Sequence, residues 1–332
     1  MSKQISEHDL HLIKSQLPSS WYYLGRSWTG EKKRKFVITK NEILVYFSSK
    51  SNQWVALSAR CLHMNADLSC GQRLADHIQC PMHQWTYDSE GNVLGAKSKS
   101  NHKLQKFAIE EVHGHLMVFL GEKSITDHPF QVLKNVSMSS AIQISARVPQ
   151  YLQVGNGFDR HHFQGVHGRV VEKISSFYQD NDFISITYQL KNVSSKLSDR
   201  IIRVLFSDHV QLKFSVYGGG LIWAEILIGK INYSLITFVH PAAEDCAEAT
   251  LFSVLKKTNK VFDYVRHLTL RLFIKKFSTD EVKLLEGLNI TTSSLDSTQD
   301  ETLLKFMNWY LQRVTSADTL VVQNESSLNQ SL

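Results

Sequence analysis

The chain has no uninterrupted apolar run approaching the ~18 residues a membrane helix needs. Its most apolar stretch, Leu221 to Ile231, is broken by Glu225 and Lys230, so no membrane span is expected. The opening MSKQISEHDL is polar and charged where a secretory leader needs an apolar core, which points to a cytoplasmic protein. Cysteine is scarce: Cys61, Cys70, Cys80 and Cys246 are the only four in 332 residues, too few and too unevenly placed for a disulfide scaffold. Metal binding is the better expectation, although Cys70 and Cys246 read as small core residues. Nucleic-acid motifs are also missing, and the net charge of +6 is dispersed apart from the run Lys32-Lys33-Arg34-Lys35. No nucleic-acid partner is expected. The run itself reads either as a solvated hairpin loop or as a docking patch for an acidic partner.

What is present suits an ordinary globular protein, with 42% hydrophobic and 20% charged residues and enough length for two domains. A helical segment is expected over 1–20. Residues 21–121 form a series of short β-prone segments (KFVITK, EILVYF, WVALSA, HIQCPM, WTYDSEGNVL, LMVFLG) separated by turn residues, which predicts a small all-β domain. Within it Asp88 to Asn92 reads as a hairpin turn, with Gly91 free to take positive φ. The polar stretch GEKSITDHP marks a boundary. Over 122–315 the strands FISITYQL, HVQLKFSVY, LIWAEILI, YSLITFVHP and TLFSVLKK alternate as in an antiparallel sheet wet on one face. Helices are expected at 156–164, 260–276 and 299–314. In the last, Leu303, Leu304, Met307 and Leu311 share one face. The tail 316–332, rich in Ser, Asn and Gln, is expected to fray.

The densest chemistry lies in CLHMNADLSCGQRLADHIQCPMHQW, where Cys61 and His63 form C-x-H, and Cys80 and His83 form C-x-x-H with sixteen residues between His63 and Cys80. Zinc sites usually pair like ligands with like. Here each short loop supplies one thiolate and one imidazole, as a two-iron cluster needs if both thiolates bind one iron and both imidazoles the other. The pattern C-x-H-x16-C-x2-H, followed by Trp85, Tyr87, Asp88 and Gly91, resembles the Rieske domain of ring-hydroxylating oxygenases and related demethylases. The sequence departs from that family at Met64, where Arg is frequent, at Met82, where Tyr is frequent, and at Gln84, where Gly is common. None of these removes a ligand, and all bear on the cluster's potential and on the surface it offers a redox partner.

A Rieske cluster accounts for only the first third of the chain. Further on, NGFDRHHFQGVHG sets Asn156, Asp159, His162 and His167 in N-x2-D-x2-H-x4-H. The resemblance implies that His162 and His167 are two of three ligands to a mononuclear Fe(2+), since two histidines and a carboxylate leave open positions for dioxygen. On a regular helix, residues five apart point roughly 140° from one another at about 100° per residue, so a break or bulge is expected between them, permitted by Gly165 and Gly168. Asp159 can reach His162 on one helical face, and in the family the aspartate at this place bridges the two metal centres. His161 is the nearest competitor to His162. The third ligand is expected at Asp300, with Glu301 and Asp296 as alternatives, although Ser297 and Asp300 also match a helix-capping pattern. Asn156 is expected near the iron, and Phe158, Phe163 and Val166 beside it suggest a hydrophobic substrate pocket, though the same residues would serve as core.

The resemblance implies an α+β chain: an N-terminal all-β Rieske [2Fe–2S] domain and a catalytic domain of helix-grip (START/Bet v1-like) type, with a curved antiparallel sheet and a C-terminal helix. It implies an oxygenase in which electrons from NAD(P)H, passed by a flavin reductase and/or a ferredoxin, serve O2 chemistry on a small organic substrate. Hydroxylation, demethylation and ring-forming oxidation fit the shorter homomeric members. It further implies a homotrimer, with the cluster of one subunit serving the iron of the next across Asp159. The competing readings are a Rieske-type electron carrier without oxygenase chemistry and a carrier of hydrophobic ligands.

Overall fold

Strands form wherever β-branched and aromatic residues alternate between turn residues. The computed structural model describes residues 4–95, 103–121, 130, 133, 135–193, 207–286, 288 and 290–314. Its two units are Tyr22–Leu120, and Met1–Trp21 together with Gly121–Leu332. The boundary segment at 122–129 and the tail 316–332 lie outside the described residues.

The smaller unit is built from antiparallel sheets. One pairs Lys33–Ile38, Asn41–Ser48, Gln53–Ser58 and Lys106–Phe107 in that order, and another pairs Gln72–Leu74, His77–Gln79, Thr86–Tyr87 and Val93–Leu94. Ile43, Leu44, Val45 and Tyr46 on the central strand of the first are fully buried. The turn at Asp88 forms as its composition predicts: Asp88 Oδ1 accepts from the N–H groups of Glu90 and Asn92, both at 2.9 Å. Gly91 is required there twice over, by its φ of 87° and because a Cβ would lie 2.4 Å from the Leu104 carbonyl oxygen.

In the larger unit an antiparallel sheet runs Val136–Met138, Cys246–Lys256, Ile231–Ala243, Leu221–Ile228, His209–Tyr217, Phe183–Asn192 and Arg169–Gln179, with Ile142–Ala146 also paired to Cys246–Lys256. A C-terminal helix over 301–314 buries Leu303, Leu304, Phe306, Met307, Trp309 and Tyr310 in one core with Ile184, Ile186, Tyr188 and Val216 of the sheet. Leu311 is only partly buried, at the edge of that face. This is the α+β, helix-grip arrangement. Removing a ring such as Phe306 from it would cost about 3–5 kcal/mol.

Three helices differ from their expected limits. The segment 156–164 is a turn at Asn156–Phe158, an extended residue at Asp159, and a helix over Arg160–His167. The helix expected to end at 276 runs Lys260–Leu285. The last helix begins at 301 because residues 296–300 are used in starting it. Near the N-terminus, Glu7–Ser15 is helical, with Ser6 and Asp9 closing a reciprocal capping box. No described helix is long and apolar enough to cross a membrane.

Candidate metal centres

In the smaller unit the two ligand loops repeat one backbone geometry. Cys61 N–H donates to the Ala66 carbonyl and Cys80 N–H to the Trp85 carbonyl, five residues on in each case. Asn65 N–H donates back to the Cys61 carbonyl and Gln84 N–H to the Cys80 carbonyl. Each loop closes through a left-handed residue, Asn65 at φ 56° and Gln84 at φ 61°. Asn tolerates that region and Gln does not, at roughly 1–2 kcal/mol, which accounts physically for the family's glycine at the second position. Between the loops, Gly71 passes so close to the strand bearing Cys80 that a Cβ would fall 2.0 Å from the Gln79 carbonyl oxygen.

Both cysteines are 2% exposed and belong to the core with Leu44, Leu57, Ile78 and Tyr87, while His63 and His83 are exposed. Their Nδ1 atoms lie 3.1 Å apart, closer than two ring nitrogens would sit unless they share a proton or an ion. Trp85 stacks on His63 at 5.1 Å and 7°. The Tyr87 hydroxyl lies 3.1 Å from Cys61 Sγ and accepts from Leu62 N–H. Burial, set against the Tyr87 bond, pushes the Cys61 thiol up, so a bound cation is what would favour its thiolate. Two buried sulfurs and two solvent-facing imidazoles fit a [2Fe–2S] cluster of Rieske type. Leu62, Met64 and Met82, chain neighbours of His63 and His83, are all exposed.

The basic run is not a loop. Lys33–Ile38 is a strand, and its cations buttress the first ligand loop. Lys33 Nζ donates to the carbonyls of Leu68 and Ser69; Lys35 Nζ bonds Asp67 at 2.5 Å and Glu42 at 2.9 Å. Arg34 lies 4.4 Å over the Trp28 ring. For Asp67, burial raises the carboxyl pKa, but the bonds from Lys35 and from the Ser69 side chain and amide outweigh it and hold the group at about 2. Cys70, expected in the core, is exposed on the turn Leu68–Cys70, because only Leu68 of that turn faces inward. Cys246 is half-buried, 3.6 Å from Ser145 Oγ.

In the larger unit His162 and His167 converge: their Nε2 atoms lie 2.9 Å apart, with side chains only 7% and 12% exposed. The helix carrying them is continuous from Arg160 to His167, so the expected bulge is absent. The rings meet because His167 is the last helical residue. Gly168, at φ 58°, ends the helix there, and no further turn obstructs His167 as its ring swings toward His162. His161 is exposed and is not among the grouped ligand atoms. Asp159 acts as the N-cap, its Oδ1 accepting from the N–H groups of His161 at 2.9 Å and His162 at 3.2 Å, which fixes the backbone of His162 rather than its ring.

The carboxylate that joins the histidines is Glu281, from the long helix. Its Oε1 is 3.6 Å from His162 Nε2 and its Oε2 is 4.0 Å from His167 Nε2, and one ligand atom from each of the three residues falls within 4.8 Å of the others. Asn156 Nδ2 donates to Glu281 Oε1, which joins Asn156 to the cluster through the carboxylate. Asp300 is not brought to the histidines. Its Oδ2 accepts from Asp296 N–H at 2.8 Å, while Asp296 Oδ1 accepts from Thr298 and Gln299. The two acids thus start the C-terminal helix, one position off the expected capping pair. Glu301 is taken by Lys305 at 2.7 Å.

Phe158 is not a pocket residue. It is fully buried, stacked on Phe306 at 5.0 Å and edge-on to Phe214 at 5.6 Å. Gly157 lies so close to that last ring that a Cβ would meet it at 2.5 Å. Phe163 lies against both His162 and His167 and against Tyr188, and Val166 is half-buried on the same helix. A residue the sequence reading missed, Phe277, stacks on His167 at 4.3 Å and 16°. Phe277 and Glu281 are four apart on one helix, a pairing visible only once the helix is known to continue past 276.

Residues 20–108 match the Rieske [2Fe-2S] domain model. The chain is 25% identical over 131 residues to the oxygenase component of 3-ketosteroid-9-alpha-monooxygenase from Rhodococcus rhodochrous, a stretch covering 38% of this chain and 34% of that one. Over nearly its full length it is 20% identical to aminopyrrolnitrin oxygenase PrnD from Pseudomonas fluorescens, covering 89% of this chain and 91% of the relative. Among solved structures, the terminal oxygenase of carbazole 1,9a-dioxygenase from Nocardioides aromaticivorans IC177 has the same fold, with a TM-score of 0.64 at 14% identity over 95% of this chain and 99% of that one. Residues 20–108 are thus a Rieske [2Fe-2S] domain, in a chain that has the fold of that terminal oxygenase.

Proposed function

We propose that this chain is an oxygenase that inserts oxygen into, demethylates or oxidatively cyclises a small apolar substrate. The observation that carries the reading is the cluster of His162, His167 and Glu281 in a chain that also bears Cys61, His63, Cys80 and His83. Two imidazoles and one carboxylate are the donor set of a non-haem Fe(II) site with positions left for O2 and substrate. When bound, the [2Fe–2S] cluster supplies single electrons and the mononuclear iron activates dioxygen.

The residues' own work follows from their placement. Cys61 and Cys80 anchor the cluster in the core, and His63 and His83 turn its other edge to solvent, where a ferredoxin or flavin reductase drawing on NAD(P)H delivers electrons. The apolar rim of Leu62, Met64 and Met82 suits a docked protein that excludes water from that edge. Asn156 holds Glu281 Oε1 and so fixes which carboxylate oxygen turns to a metal. Phe163 and Phe277 flank His167 and make its surroundings apolar, which favours a hydrophobic substrate and a dry site. The head-to-tail homotrimer, with Asp159 at the junction between one subunit's cluster and the next subunit's iron, is part of the same proposal.

Oxygen uptake by the reconstituted protein, with a reductase and a panel of steroids, methylated purines and aryl amines, tests the reading. Uptake that rises with one class of compound and is abolished in His162→Ala/His167→Ala is the expected result. Uptake indifferent to every compound and to the substitutions would contradict it.

A further inference from the structure

The long helix Lys260–Leu285 is inside out. Its inward face carries Asp263, His267, Ile274 and Ser278, and Asp263 and His267 are bonded to neighbouring chain. Asp263 accepts from Thr258 N–H and Oγ1, and His267 lies between Ser137 Oγ at 2.9 Å and Ser253 Oγ at 2.8 Å. The outward face carries Val261, Tyr264, Val265, Leu268 and Leu272, exposed by 45% to 76%. At spacings of four, three and four, Val261, Val265, Leu268 and Leu272 form one continuous stripe. A contiguous exposed apolar surface of this kind marks an interaction site.

Charge identifies the partner. Lys260, Lys275 and Lys276 are exposed beside the stripe, and none of them is in an ion pair among the described residues, whereas Arg271 is turned to the sheet, donating to Ser140 and Ala141. Asp263 is the sole acidic residue from 260 to 276, and it is buried. Two copies of this face brought together would set like charges against like. An exposed apolar stripe flanked by lysines is instead what seats a helix in the plane of an anionic lipid surface, apolar side chains among the acyl chains and lysines at the headgroups. We propose that this helix docks the protein peripherally on anionic phospholipid membranes. The same helix carries Phe277 and Glu281, so docking would bring lipid-dissolved compounds close to the His162 cluster. The docking itself does not depend on what that cluster does.

Co-sedimentation of the full-length, cluster-loaded protein with phosphatidylglycerol–phosphatidylcholine vesicles, against phosphatidylcholine alone, tests this. The expected result is partitioning at least about tenfold stronger to the anionic vesicles and weakening with added salt. Leu268→Gln/Leu272→Gln and, separately, Lys275→Glu/Lys276→Glu should each reduce it about tenfold while leaving the visible spectrum of the cluster unchanged. Equal or absent partitioning to the two vesicle types, or leucine-pair substitutions without effect on binding, would overturn the proposal. So would self-association of the wild type, abolished by the leucine-pair substitutions, in a protein that ignores vesicles.

Discussion

Glu281 Oε1 lies 3.6 Å from His162 Nε2, carried there by a helix far downstream of the histidines in sequence. If this carboxylate completes the metal site, Glu281→Ala lowers mononuclear iron retention by roughly tenfold or more, and Asp300→Asn leaves iron in place while loosening the start of the C-terminal helix. Ferrous iron titration of the two variants, alongside thermal melts, separates them. Loss of iron in Asp300→Asn with retention in Glu281→Ala would reverse the assignment.

Asn156 acts through Glu281. Asn156→Ala frees the carboxylate to rotate, and the expected consequence is a 10–100-fold weaker iron affinity with the cluster signal unchanged. An affinity equal to wild type would show that Glu281 is held by packing alone.

Tyr87 lies within hydrogen-bonding distance of Cys61 Sγ. A donor to a cluster sulfur stabilises the reduced, more negative state, so Tyr87→Phe should lower the reduction potential. One net hydrogen bond of about 1 kcal/mol corresponds to about 40 mV for a one-electron couple. A redox titration followed by electron paramagnetic resonance reads this directly, and an unchanged or raised potential would remove Tyr87 from the tuning of the cluster.

The Cys/His loops were legible in the sequence because each is a local device, its ligands a few residues apart and its backbone bonds closed within the loop. The His162–His167 pair was legible for the same reason, although its geometry was not: the helix stays regular, and it is Gly168 that lets the rings meet. Glu281 was hidden because its membership depends on where a long helix is laid across the sheet. Asp300 reads two ways because a carboxylate opening a helix serves equally well as a cap or as a ligand, and here Asp296 N–H donates to it. Phe158 shows the same limit for apolar residues, since nothing in its neighbours distinguishes a pocket wall from the stack between Phe214 and Phe306.

His267 pins the long helix to the sheet as a neutral imidazole. Burial lowers its pKa, with Arg266 acting in the same sense and Asp263 opposing. The unfolded chain, with histidine near 6.5, therefore binds the proton more readily than the folded one. The stability His267 contributes is present above about pH 6.5 and is lost as pH falls through the folded value. Denaturant melts at pH 7.5 and 5.5 should show wild type losing more stability than His267→Gln over that interval; equal losses would mean that His267 does not titrate in the helix's favour.

Gly71→Ala forces a methyl to within 2.0 Å of the Gln79 carbonyl oxygen. Backbone must move beside Cys80, at a cost of about 1–3 kcal/mol, and cluster loading should fall with it. Gln84→Gly should act the other way, relieving a left-handed glutamine. Sulfide content and melting temperature of the two variants should therefore move in opposite directions.

On the proposed function, one chain holds both a Rieske cluster and a separate iron. Anaerobic iron and sulfide analysis with electron paramagnetic resonance, on wild type and on His162→Ala/His167→Ala after reconstitution with Fe(II), tests it most directly. Three irons and two sulfides per chain are expected in the wild type, falling to two irons in the variant with the reduced-cluster signal intact. Two irons in both proteins would contradict it and leave an electron carrier.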